Sequence, residues 1–161
     1  MLNSTLSFLL VFRLNRAAGR FWLARELGGN LVGQARTMTG SILIHACHNQ
    51  HDGNEALRWM TALHLTVTEL LRGERDSYPP HVFAGILSEK QVKETHEKKH
   101  PPLFVGSQVR YHLNEIFRID SETPTGVAVA YSRHLSSLEQ QLNIMLDCCG
   151  GMERIQGTPL P

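Results

Sequence analysis

His96 and His100 stand four residues apart with Glu97 between them, in the order His-Glu-Lys-Lys-His. On a helix this spacing puts two imidazoles on one face, one turn apart. The glutamate then lies beside them as a base for a metal-bound water, which is the arrangement of zinc proteases. The surroundings favour another reading. Lys93, Glu94, Lys98 and Lys99 make the segment polar, the two lysines inside the motif oppose a bound cation, and Pro101-Pro102 breaks the helix directly after the second histidine. A solvated charged helix is the expectation, with a zinc metalloprotease built on His96, Glu97 and His100 as the enzymatic alternative. A second cluster, His45, Cys47, His48 and His51, matches no zinc spacing. His64 falls within an apolar stripe, where a hydrogen-bonded core histidine belongs. Gly28-Gly29 and Gly150-Gly151 lack the context of a phosphate-cradling loop. No catalytic residue and no metal site are expected.

The N-terminal segment carries different chemistry. At 100° per residue, Ser4, Phe8 and Phe12 fall in one seam, one residue per turn. Arg13, Arg16 and Arg20 form a cationic strip beside it. The pattern has two readings. One is a core face flanked by surface arginines. The other is a pore-lining helix whose apolar constriction gates by dewetting and whose basic strip favours anions.

The elements that must position these groups are helical. The chain has 161 residues, 42% of them hydrophobic and 19% charged, which fits one folded domain and excludes a disordered chain or a complete membrane protein. A net charge of +1 gives no nucleic-acid footprint. It conceals an asymmetry: residues 1–36 hold five arginines against one glutamate, a net +4, and the remainder carries −3. Cys47, Cys148 and Cys149 read as reduced thiols. The apolar run from Leu6 to Phe12 has no basic residues before it and no cleavage site after it, so it is not a targeting peptide. No window approaches eighteen apolar residues, and no complete transmembrane helix is expected. Both ends read as cut, the start inside an apolar turn and the end in Gly157-Thr158-Pro159-Leu160-Pro161.

Periodicity predicts an all-α fold with no strands. A helix from Asn3 into the mid-twenties should bend or stop at Gly28-Gly29, with a second stretch from about 30 to the high forties. Asp52 and Glu55 form a capping-box pattern ahead of a stripe of Leu57, Met60, His64, Val67 and Leu71, closed by Gly73. Residues 74–86 read as a loop, Ser88 to Lys99 as a short helix, and Pro101-Pro102 as the start of a helix reaching about Arg118. Thr123 then caps a last helix with Pro124 at its first position. Tyr131, Leu135, Leu138, Leu142, Leu146 and Cys149 line its buried face, and Gly150-Gly151 should end it.

Three segments together carry a family likeness. Phe12-Arg13-Leu14-Asn15-Arg16-Ala17-Ala18-Gly19-Arg20-Phe21-Trp22-Leu23-Ala24-Arg25 resembles the FRxNxAYxRWWEAR signature of the bestrophin anion channels. His100-Pro101-Pro102 resembles their mid-chain HPP, and Glu153-Arg154-Ile155-Gln156-Gly157-Thr158-Pro159-Leu160-Pro161 their ERIxxTPIP element. Ala18 stands where Tyr is usual, Leu23 for Glu, Gly28 for Trp, and Met152 for a common Cys.

The resemblance implies a homopentamer around one axial pore that passes chloride, bicarbonate or similar monovalent anions, without catalysis. It implies that residues 1–12 belong to a truncated pore-lining membrane helix, 13–156 to a cytosolic helical region, and 157–161 to the lead-in of the next membrane helix. The parent would be an integral membrane protein of the plasma membrane or of an organelle such as the thylakoid. Most of this chain would lie on the cytosolic or stromal side, with lipid met at its ends. Ser4, Phe8 and Phe12 take the neck positions, Arg133 the cytosolic aperture, and Arg13, Arg16 and Arg20 attract the anions. No cofactor is implied within the chain. Calcium is implied only for the parent, through segments outside it. The interaction-protein alternative is a soluble helical adaptor.

Overall fold

A computed structural model describes residues 2–73 and 80–158, the side chains of 2–5, 80 and 81 excepted. Five α-helices account for the described fold, with no strand among the described residues: α1 (Leu2–His45), α2 (Gln50–Arg72), α3 (Glu89–Glu97), α4 (Pro101–Ile116) and α5 (Thr125–Gly157). A 3-10 turn, Pro80–Phe83, precedes α3. The expected loop at 74–79 lies outside the described residues.

The all-helical expectation holds, but two helices are longer than expected. α1 runs unbroken through Gly28-Gly29, and α5 runs through Gly150-Gly151 to Gly157. Each helical glycine costs about 1 kcal/mol relative to alanine. Packing on either side outweighs this: Leu31 is buried and Leu27 packs on the core, and fully burying one leucine contributes about 1.5–3 kcal/mol. At Gly151 the missing side chain is itself the packing solution. A Cβ there would stand 2.9 Å from Cδ1 of Leu27, so glycine lets α1 and α5 approach closely.

Two caps also differ from expectation. α2 begins one turn earlier than the Asp52–Glu55 pattern indicates. Asn49 is the N-cap, its side-chain oxygen accepting from the Asp52 N–H at 3.3 Å while its amide donates to Asp52 Oδ2 at 2.8 Å. The helix closes as expected at Gly73, whose left-handed φ of 67° suits a residue without a side chain. At α5 the N-cap is Pro124, without a side-chain cap bond. The Thr123 hydroxyl instead donates to Asp120 Oδ1 at 2.6 Å, closing the turn that precedes the helix.

α2 lies chiefly against α4, and α1 chiefly along α5. The stripe expected on α5 is partly or fully buried, with Leu138, Leu142 and Cys149 inside and Tyr131, Leu135 and Leu146 at its margin. On α2 the buried face is wider than the expected stripe: Ala56, Trp59, Met60, Leu63 and Val67 are buried, and His64 sits at its edge.

Gly53 marks the closest approach of α2 to the end of α1. A Cβ there would meet the Ala46 Cβ at 2.9 Å, an atom with no rotamer to move. Gly53→Val should therefore destabilise by about 1–3 kcal/mol, lowering Tm by roughly 2–4 °C per kcal/mol for a chain of this size. Gly150→Ala, where a Cβ meets nothing within 4 Å, should leave Tm unchanged or raise it. Thermal unfolding followed by circular dichroism decides between these outcomes.

Candidate functional site

α1 and α5 run antiparallel, since Leu27 lies on Gly151, Arg20 reaches Ile155, and His45 stacks on His134. The turns of α1 before Arg20 thus extend beyond the end of α5, an overhang of roughly 25 Å at 1.5 Å per residue. Its apolar side chains are uncovered on all sides: Leu6, Leu9, Leu10, Val11 and Leu14 are exposed. Phe8 is 62% and Phe12 57% exposed. Their rings meet edge to face, centroids 4.6 Å apart. The core-face reading of this seam is therefore overturned. Ser4 continues the seam along the helix, but its side chain lies outside the described residues. An exposed apolar surface of this extent marks a contact with something beyond the fold itself.

The basic strip divides. Arg13 and Arg16 are exposed, whereas the Arg20 guanidinium donates to the Ile155 carbonyl in the last turn of α5. That carbonyl has no intrahelical partner, and a cation there also complements the helix dipole. Arg133 is exposed on the side of α5 away from the buried stripe. It neighbours His134, so it sits at the far end of α1 from Phe12, roughly 50 Å away along the helix axis. The structure does not bring the candidate neck and aperture residues together within one chain. It places Phe8 and Phe12 at one end of α1 and Arg133, on α5, beside the other end.

His100-Pro101-Pro102 has a local explanation. Two prolines at the first helical positions remove two N–H groups that would lack partners, and the next one, on Leu103, donates to His100 Nδ1 at 3.3 Å. That leaves Nε2 of His100 as the donor to Glu153 Oε1, 2.7 Å away. All three motifs therefore meet at the end of α5: Arg20 from the first, His100 from the second, and Glu153 and Ile155 from the third. Motif order along the chain gave no sign of this convergence. Pro159, Leu160 and Pro161 lie outside the described residues.

The His-Glu-Lys-Lys-His segment is not a zinc helix. α3 ends at Glu97, so the two histidines do not share a helical face. His96 Nε2 lies 3.2 Å from Glu69 Oε1 on α2, and His100 is turned to Glu153 on α5. Nor is α3 wholly solvated, because Thr95 is buried and Val92 packs on the core. The second cluster also diverges. His45 stacks on His134, His48 on Tyr131, and Cys47 and His51 point to solvent. Among the described residues no group of His, Cys, Asp and Glu is arranged to hold a metal. The three cysteines are free, and burial pushes the Cys149 thiol up to about 12, where it is inert at neutral pH.

Fold and exposed helix together define a helical bundle with an uncovered apolar end. The chain belongs to the Bacterial/Fungal Bestrophin family, whose sequence profile matches residues 1–161. It is 27% identical over 160 residues to a voltage-dependent anion channel-forming protein of Nostoc sp., covering 97% of this chain and 48% of that protein. A similarly named protein of Ralstonia nicotianae is 28% identical over 165 residues, covering 100% and 50%. The fold matches a bacterial bestrophin homolog from Klebsiella pneumoniae with a TM-score of 0.78, at 20% identity, over 98% of this chain and 55% of that one. The chain thus spans about half the length of the curated relatives it matches. Among the described residues no helix is long and apolar enough to cross a membrane.

Glu69, only 2% exposed, is the most deeply buried carboxylate described. Burial raises its carboxyl above the ordinary 4.5, against the opposing pull of His96. A folded state that holds the proton more tightly than the unfolded chain loses stability as pH rises above that ordinary value. Glu69→Gln keeps the shape and removes the charge, so its Tm should rise relative to wild type between about pH 4.5 and 7. A Tm difference that stays constant over this interval would refute the assignment.

Proposed function

We propose that this chain forms part of a passive, pentameric channel for monovalent anions such as chloride or bicarbonate, with α1 lining its axis. The exposed Phe8–Phe12 pair on the overhanging end of α1 carries the reading. Family membership and the channel-forming relatives support it. In this reading Phe8 and Phe12 form an aromatic neck, with Ser4 as its third and more polar level. Five copies of each ring narrow the path until it dewets, so that conduction requires widening or partial dehydration of the ion.

Arg13 and Arg16 concentrate anions below the neck. Arg20 contributes charge but is held on the Ile155 carbonyl, so its principal role is to fix α1 against α5. Arg133 occupies the cytosolic or stromal aperture, where five symmetry-related guanidiniums form a positive ring that no physiological pH discharges. Residues 1–12 are the inner part of a membrane helix, 13–156 the cytosolic or stromal region, and 157–161 the approach to the next membrane segment. Lipid is met at those two ends, in a plasma or organelle membrane. No ligand for calcium is assigned to this chain, and no step involves catalysis.

Two measurements on the complete protein in planar bilayers test the proposal. Phe8→Ala combined with Phe12→Ala should raise anion current and weaken gating, because removing two rings per subunit widens and wets the constriction. Unchanged conductance and gating would remove the neck from this helix. Arg133→Glu should cut anion current or relax anion-over-cation selectivity. The effect should be largest at low ionic strength, since the Debye length is about 10 Å at 0.1 M. Wild-type selectivity in that variant at low salt would make Arg133 an ordinary surface residue.

A further inference from the structure

The C-terminal turn of α1 ends against a cluster of five rings. His45, the last residue of α1, stacks on His134 of α5 with centroids 3.8 Å apart and planes 28° from parallel. Phe117, the C-cap of α4, lies 6.0 Å from the His134 ring and 5.6 Å from Tyr131. His48 stacks on Tyr131 at 5.1 Å and donates through Nε2 to the Ile116 carbonyl at 2.7 Å. Two imidazoles are thus face to face where three helices meet.

We propose that the His45–His134 stack is an acid-releasable latch joining the end of α1 to α5. Neutral imidazoles stack favourably as offset aromatic rings. Two imidazolium rings at this separation repel, and the contact they break in parting is one that joins α1 to α5. The nearby charged groups do not relieve the repulsion. On α2, Asp52 is engaged by His112 of α4 at 2.7 Å and by Asn49, and these bonds outweigh burial to hold its carboxyl below the ordinary value. His51 beside it is cationic when charged. On α4, Glu115 pairs with Arg118 at 3.5 Å, and on α5 the residue before His134 is the cationic Arg133.

Burial, and then the charge of His134, both lower the pKa of His45 from the ordinary 6.5. The sign follows. The folded state resists the proton that the unfolded or released segment accepts, so the latch is intact above about pH 6.5 and weakens as pH falls below it.

Hydrogen–deuterium exchange on the complete protein tests this without reference to ion conduction. Amides of 42–49 are compared at about pH 7.5 and 5.0, each corrected for the intrinsic exchange rate, with residues 142–149 of α5 as the internal control. Wild type should lose protection at the lower pH relative to the control segment. His134→Phe keeps a ring in the stack and removes the charge, and should show no acid-dependent rise; His45→Gln should show none either. Equal exchange at both pH values in wild type overturns the latch. So does the same acceleration in the two variants.

Discussion

The position of the first half of α1 depends on a cation set on a helix end. The last carbonyls of α5 have no partners within their own helix, and Arg20 supplies one to Ile155. Two residues earlier on α5, Glu153 receives His100, which through its other ring nitrogen caps α4. Gln156 donates from the same turn to the Leu71 carbonyl at the end of α2. The end of α5 therefore ties together α1, α2 and α4. The part of α1 before Arg20 extends from this knot with its apolar side chains exposed.

Charge in this protein serves two purposes that composition cannot separate. The +4 of the first 36 residues looks like one cationic surface. In the structure Arg20 belongs to the framework, while Arg13 and Arg16 are exposed. The histidines divide in the same way. His96, His100 and His112 each face a carboxylate on another helix, at 3.2, 2.7 and 2.7 Å. His45 and His134 face each other. Histidine–carboxylate contacts persist whether the ring is neutral or charged, because the ring N–H donates in either state. In a histidine–histidine stack two charged rings repel, so acid acts differently on the two kinds of contact.

Much of the architecture was legible in the residues themselves. Helical periodicity, the left-handed close at Gly73, the start of α4 at Pro101-Pro102 and the buried stripe of α5 are local properties, set by backbone geometry and side-chain spacing. The three bestrophin-like motifs were legible as well, and the family follows from them. What local rules could not settle was competition. At Asn49 and Asp52, two residues capable of capping lie one turn apart, and only the engagement of Asp52 by His112 leaves Asn49 as the cap. At Thr123 the hydroxyl had two acceptable roles, and the Asp120 turn took it.

The sequence by itself thus determined the helical class, most helix starts, and the family. The tertiary structure alone decided how far α1 and α5 continue, because the cost of a glycine pair is local while the burial of Leu27 and Leu31 that offsets it lies between helices. It also decided that the Phe8–Phe12 seam is bare. An apolar stripe has the same spacing whether it faces a core or a partner, and only the end of α5 at Gly157 leaves Phe8 and Phe12 exposed among the described residues.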